Sequence, residues 1–217
     1  MTTASVAPPR PDRSWWARTI HPWLLNRVMD TAETRDIRAR VCAPLAGDVL
    51  EVGFGTGHNL PFLPDAVDRV LAVEPLERGV ALAADRIAAS SAEVELIGAD
   101  ARRLPLPDAS VDTVLCTWSL CSIDDPLPAA REIARVLRPG GHLHVVEHGR
   151  SPEPGVARWQ RRLDPLWSRV AAGCHLDRDL PPLLEGAGLC VESLDTYYTD
   201  SEPRLLGWTF EGRARRG

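Results

Sequence analysis

The chain has 217 residues, 44% hydrophobic and 25% charged, with a formal charge of −5. That length fits one domain able to bury roughly 70% of its unfolded surface, and the acidic balance argues against a nucleic-acid partner, which needs a basic stripe. All 25 basic residues are arginine, which together with abundant Ala, Pro and Gly reads as the mark of a GC-rich genome. Five cysteines with no C-x-x-C pair point to a reducing compartment and away from a disulfide framework or a spaced zinc motif.

Residues 1–13, rich in Pro, Ala and Thr, read as a disordered tail without the apolar stretch of a signal peptide. No run reaches the ~18 apolar residues of a membrane span, so the expected location is the cytoplasm. Residues 14–46 read as helical and carry Trp15, Trp16, Trp23, Leu24 and Leu25. An amphipathic helix packed on the domain is the favoured reading, and peripheral contact with a membrane surface is its alternative.

From there the chain alternates. Short apolar strands are expected over 48–52, 69–74, 94–98, 111–117 and 142–147. Helices are expected from near His58, over 76–89, and from Asp124 or Asp125 to Leu137, with Pro126 tolerated in the first turn. Arg138-Pro139-Gly140-Gly141 stops the last of these. A further helix is read over about 152–172, then two strands, 188–196 and 205–210, as an antiparallel edge hairpin, with Arg213, Arg215 and Arg216 as a solvated tail. The fold class is α/β: a doubly wound, mostly parallel sheet with right-handed crossovers, an N-terminal helical segment and an antiparallel edge hairpin. One domain is expected over 14–217, with N-terminal helices to 46, a cofactor-binding core over 47–150 and a substrate side over 151–217.

Three strand ends carry the chemistry. Glu51-Val52-Gly53-Phe54-Gly55-Thr56-Gly57 follows the first strand, where glycines let the backbone turn tightly and approach a ligand. The dinucleotide fingerprint would want its third glycine at position 58, which is His58, and this disfavours a nicotinamide enzyme. Glu74 ends the second strand, the place from which an acid meets ribose hydroxyls. Ala99-Asp100 ends the third, where a carboxylate can accept from an adenine amino group.

With Leu104-Pro105-Leu106-Pro107-Asp108 and Val136-Leu137-Arg138-Pro139-Gly140-Gly141, this set resembles the class I S-adenosylmethionine-dependent methyltransferases, Rossmann-like enzymes, over residues from about 47 to 150. The resemblance implies S-adenosyl-L-methionine as cofactor and S-adenosyl-L-homocysteine as product. It implies cofactor contacts from Glu51, Thr56 and Pro75, from Gly53, Gly55, Gly57 and Asn59 at the methionine half and from Glu74 at the ribose. Asp100 and Ala101 would serve the adenine, with Thr117 and Trp118 bordering the cofactor. Phe54 stands where the familiar loop often has Cys.

Cys116-Thr117-Trp118-Ser119-Leu120-Cys121-Ser122, Glu147-His148, Leu163-Asp164-Pro165-Leu166-Trp167 and Gly173-Cys174-His175 are similar to the alkyl thiol S-methyltransferases of animal microsomes and their bacterial relatives. This favours a small, rather apolar acceptor, with thiol sulfur first and a quinol, phenol or amine (a phospholipid amine included) as alternatives. A non-catalytic cofactor-binding module is the reading from another class. The hydrophobic anchor of the animal enzymes is not read in this sequence, so membrane residence is not carried over. His148 is the candidate catalytic base, set against a histidine hydrogen-bonded for structure. Cys116 and Cys121 read as apolar fillers, Trp159 and Trp167 as a pocket wall or core, and Cys174-His175 lacks the partners of a metal site, so no metal is expected.

Overall fold

The computed structural model describes residues 21–217. The expected tail over 1–13, Trp15 and Trp16 lie outside the described residues. Among the described residues two helices come first, α1 (His21–Val28) and α2 (Ala32–Cys42). Thr31 separates them by capping α2: its side chain accepts from the Thr34 N–H while the Thr34 hydroxyl accepts from the Thr31 N–H.

Seven strands follow: β1 (Gly47–Val52), β2 (Val67–Val73), β3 (Glu93–Gly98), β4 (Val111–Thr117), β5 (Leu137–His148), β6 (Leu189–Tyr198) and β7 (Trp208–Arg216). They form one sheet in the order β3-β2-β1-β4-β5-β7-β6. The first five are parallel; β7 pairs antiparallel with β5 and β6 antiparallel with β7. Between them lie α3 (Glu77–Leu82), α4 (Ala84–Ala89), α5 (Pro126–Val136), α6 (Pro154–Val170) and α7 (Leu180–Gly186). The strand order reverses between β1 and β4, which opens a crevice at the carboxyl ends of those strands.

Period-two alternation puts both sheet faces into core. Leu50, Val52, Leu71 and Val73 join one cluster with Ala129, Ile133 and Val136 of α5 and Leu180 and Leu184 of α7. Val49, Val70, Ala72 and Leu115 join the other, with Ile37, Val41 and Cys42 of α2. On α6, Trp159, Leu163, Leu166 and Val170 share one face at helical spacing and are all exposed, so Trp159 is not core.

Several expectations are corrected. No α-helix starts near His58; Leu60–Phe62 is a single 3₁₀ turn. Pro61 has no N–H to donate, and Pro64 holds Leu63 in the extended region, φ −69° and ψ 132°. The helix over 76–89 breaks into α3 and α4 at Ala83. Asp125 stands at the N-cap of α5 without a side-chain capping bond. The arginine tail is part of β7: Arg213 and Arg215 both bond Glu192, and Arg216 donates to the Leu137 carbonyl at 2.8 Å.

Ile133 is fully buried between α5 and the sheet, whereas Leu166 is 62% exposed. Ile133→Ala is expected to cost about 2–5 kcal/mol through lost transfer energy and an unfilled cavity. Leu166→Ala should stay within about 0.5 kcal/mol of the parent protein. Urea denaturation of both variants checks this, and equal losses would contradict the assigned core.

Candidate functional site

Past β1 the chain enters a glycine turn in which Gly53, Gly55 and Gly57 all have left-handed backbones, φ 77°, 57° and 73°. A side chain at these positions is strained whatever space surrounds it. The Gly53 and Phe54 N–H groups both donate to the Val73 carbonyl, at 3.0 and 3.1 Å, which ties the turn to the end of β2. Glu74 completes the tie: one carboxylate oxygen accepts from the Gly55 N–H at 2.6 Å and the other from the Leu76 N–H at 2.8 Å. Burial pushes the Glu74 carboxyl above its usual range, against those two bonds. Pro75, beside it, is exposed, and buried Thr56 offers its carbonyl to Arg86 at 3.0 Å.

A buried polar network lies beneath the turn. Asn59, held by the 3₁₀ turn, donates to Glu51 at 2.8 Å and to the Thr117 hydroxyl at 3.0 Å. Its carbonyl oxygen accepts from Arg38 of α2 at 2.5 Å, and Arg38 also reaches Thr117 at 3.3 Å. The Arg38 guanidinium lies 4.9 Å from the centre of the Trp118 ring, a cation–π contact. Burial lowers the Arg38 pKa to about 10, and burial raises that of Glu51 to about 7 in spite of the Asn59 bond and the Arg38 charge. Arg38 is a central member that the sequence does not single out, being one arginine of 25 on an otherwise ordinary helix.

The remaining expected residues stand along the same sheet edge. Thr117 ends β4, and Trp118 follows with φ 51°, a strained setting for a bulky residue. Past β3, Asp100 is gripped by Arg102, whose side chain donates to both oxygens at 3.0 and 3.1 Å and whose backbone N–H donates to one at 3.0 Å. Burial, which would raise the Asp100 pKa, is outweighed by these bonds, so the carboxyl titrates below its usual range. Ala101 is buried next to it. The Glu74 N–H donates to the Gly98 carbonyl at 3.0 Å and holds the ends of β2 and β3 together.

On the far side of the crevice, the fully buried Glu147 accepts N–H bonds from Ser119, Leu120 and Cys121 at 2.9, 2.8 and 3.0 Å. It thereby fixes the turn after β4. His148 follows it, with Nε2 3.3 Å from Glu202 and Nδ1 4.0 Å from the Cys174 sulfur. Cys174 lies 3.7 Å from Cys121. This neighbourhood joins residues the sequence reads separately. His175, by contrast, turns to Asp164 at 2.7 Å.

These features fit S-adenosylmethionine. Glu74 spends two acceptor positions on backbone and, as a carboxylate, has two more for ribose hydroxyls. A Cβ at Gly55 would meet no atom nearer than 3.9 Å, so open space faces the turn there. One Glu51 oxygen and the Trp118 Nε1 are buried without a partner, and buried polar groups ordinarily have one.

The Glu51 carboxyl binds its proton more tightly folded, at about 7, than in the ordinary range of 4.5. The folded state therefore holds more protons between those values, and stability falls as pH rises from 4.5 through 7. Glu51→Gln keeps an acceptor for Asn59 and removes the charge. Its stability gain over the parent protein should be near zero below pH 4.5 and grow to a plateau above pH 7 of order 3 kcal/mol. Chemical denaturation across that pH range tests this, and a pH-independent difference would refute it.

The methyltransferase domain family matches residues 50–145. The chain is 36% identical over 137 residues to the thiol S-methyltransferase TMT1B of Rattus norvegicus, covering 60% of this chain and 55% of that protein. It thus spans little more than half the length of that relative. It is 34% identical over 212 residues to the 27-O-demethylrifamycin SV methyltransferase of Amycolatopsis mediterranei, covering 91% of this chain and 76% of the relative. A solved S-adenosylmethionine-dependent methyltransferase of Thermotoga maritima shares the fold, with a TM-score of 0.66 at 24% identity over 93% of this chain and 98% of that one. Fold, strand-end chemistry and kinship agree: the chain belongs to the class I S-adenosylmethionine-dependent methyltransferases.

Proposed function

We propose that this chain transfers the methyl group of S-adenosylmethionine to the sulfur of a small, rather apolar thiol. The observation that carries the reading is the cysteine- and histidine-lined side of the crevice, set against the glycine turn at the ends of β1 and β4. The similarity to thiol S-methyltransferases supports it.

When bound, the cofactor supplies an activated methyl group on a sulfonium. The protein's work is then positioning, since donor carbon and acceptor must be held in line about 3–3.5 Å apart. In this proposal Gly53, Gly55, Thr56 and Gly57 shape the backbone against the methionine half, with Glu51 and Asn59 beneath it. Glu74 and Pro75 bound the ribose. Asp100, kept ionised by Arg102, and Ala101 serve the adenine. Thr117 and Trp118 form the wall between donor and acceptor, and His148 stands on the acceptor side, oriented by Glu202. A thiol with pKa ~8.5 is already a few per cent thiolate at neutral pH and needs little further activation. Among the described residues no helix is long and apolar enough to cross a membrane.

An oxygen acceptor is the second reading, favoured by the greater reach of the match to the rifamycin enzyme, whose name places the accepted methyl on oxygen. Labelled-methyl transfer across thiols, phenols, quinols and amines separates the two. Transfer to thiols is expected, and transfer to another class alone would overturn the thiol assignment. Calorimetry should show S-adenosylmethionine binding that Glu74→Ala weakens by about 2–4 kcal/mol, roughly 30- to 1,000-fold. Unchanged affinity would remove Glu74 from the site.

A further inference from the structure

We propose that Cys121, His148 and Cys174 are the three protein ligands of a zinc site, and that the remaining coordination position takes the acceptor's sulfur. The second half rests on the thiol reading; the first does not.

The three ligand atoms lie within 4.8 Å of one another. A zinc ion held tetrahedrally at ~2.3 Å from sulfur and ~2.0 Å from nitrogen sets ligand atoms about 3.8 Å apart for two sulfurs and about 3.5 Å apart for sulfur and nitrogen. The observed separations are 3.7 Å for Cys121–Cys174 and 4.0 Å for Cys174–His148 Nδ1. Two edges of the triangle are thus within about 0.5 Å of those of a coordination tetrahedron, and the third, Cys121–His148, is no longer than 4.8 Å. Two thiolates and an imidazole are also the donor set that a soft, four-coordinate ion prefers.

Each ligand is fixed from behind. Glu147 holds the Cys121 N–H at 3.0 Å. The His175 N–H donates to the Cys121 carbonyl at 2.9 Å, which clamps the Cys174 segment against the turn that carries Cys121. Gly173, at φ 92°, makes that approach feasible, because a Cβ there would come within 2.7 Å of the Ser122 carbonyl oxygen. Asp164 secures the segment from α6, accepting from the Leu176 N–H at 2.7 Å and bonding His175. His148 presents Nδ1 to the sulfurs while Nε2 meets Glu202 at 3.3 Å, and the Thr199 hydroxyl donates to that same Glu202 oxygen at 3.0 Å. A carboxylate on the far nitrogen is the arrangement that orients metal-bound histidines.

Three protein ligands leave one position open, as in zinc sites that act on a substrate. The site lies past the ends of β4 and β5; Ser119, two residues before Cys121, packs on Gly53 of the cofactor turn so closely that a Cβ there would overlap its hydroxyl. An acceptor thiol binding there loses its S–H proton to solvent as its sulfur replaces a bound water. A sulfur lone pair then forms the bond to the methyl carbon while the sulfonium C–S bond breaks, its electron pair staying on S-adenosylhomocysteine. The product thioether is neutral and a weaker ligand than the thiolate, so water displaces it.

The test uses the full chain, reduced, stripped by chelator and reloaded with zinc or cobalt(II). About one equivalent of metal per chain is expected, with cobalt giving thiolate charge-transfer bands and the intense visible bands of tetrahedral geometry. Cys174→Ser and His148→Gln should each lower metal affinity at least about 10-fold, the scale of losing even an outer-shell partner. Exposed Cys190→Ser should not change it. Retained S-adenosylhomocysteine binding shows that a variant is folded. A small apolar thiol added to the cobalt form should shift its spectrum without releasing metal. Absence of stoichiometric metal in the folded, reduced protein overturns the site, even if thiols are methylated. Bound metal whose spectrum ignores thiols that are nevertheless methylated overturns the fourth-position assignment. Bound metal with methylation of quinols or amines alone supports the site and defeats its role with sulfur.

Discussion

The carboxylate of Glu147 is the constraint on which the acceptor side of the crevice depends. It sits at the end of β5 with almost no solvent contact, where an ionised group is costly unless its lone pairs are used. Three consecutive N–H groups, from Ser119 to Cys121, use them. The chain leaving β4 is thereby bent around the carboxylate, Trp118 is forced into a left-handed backbone, and Cys121 is delivered opposite Cys174. Burial pushes the Glu147 carboxyl above its usual range against these N–H bonds, and the three bonds together hold the turn in which Trp118 takes its unfavourable φ.

The donor side is organised by a parallel device. Glu74 receives the Gly55 and Leu76 N–H groups, so one carboxylate stitches the turn after β1 to the turn after β2. Beneath it, Arg38, Asn59, Thr117 and Glu51 form a chain of bonds with one cation and one titrating acid, both buried. Networks of this type rigidify a site when every member is satisfied and are costly when one is not. In this network Arg38 Nε, one Glu51 oxygen and the neighbouring Trp118 Nε1 have no protein partner. Through Arg38 the helix α2, packed on the sheet by Ile37, Val41 and Cys42, reaches the network beneath the turn.

The two sides meet because β1 and β4 are neighbours in the sheet, with Glu51 opposite Leu115 and Val52 opposite Cys116 in the ladder. The reversal of strand order at that pair leaves room above their carboxyl ends. Loops from β1, β2 and β3 then bound one half of the crevice, and those from β4 and β5 the other. The segment after α6 closes over the second half, held by Asp164 and by the approach of Gly173 to Ser122.

The five parallel strands, the closing antiparallel pair and the order of the three chemical strand ends are legible in the amino-acid sequence. These are local signals: apolar runs of strand length, glycines at a turn, an acid where a strand stops. It also determined kinship through motifs that lie close together along the chain. Near His58 local signals compete: the glycine turn after a strand favours a helix, while Pro61 and Pro64 limit it to one 3₁₀ turn. The apolar signal of β7 ends at Phe210, whereas pairing with β5 and β6 carries the strand on through the arginines. Only the tertiary structure decided that Arg38 joins the site, that Arg102 holds Asp100, and that Cys121, His148 and Cys174 share one volume. Arg38 and Thr117 are 79 positions apart and the two cysteines 53, while Asp100 and Arg102, only two apart, meet in a turn that has no repeating period to report the contact. Spacing along a chain reports contacts only within one helix or strand; what lies side by side across the crevice is set by sheet register and helix packing.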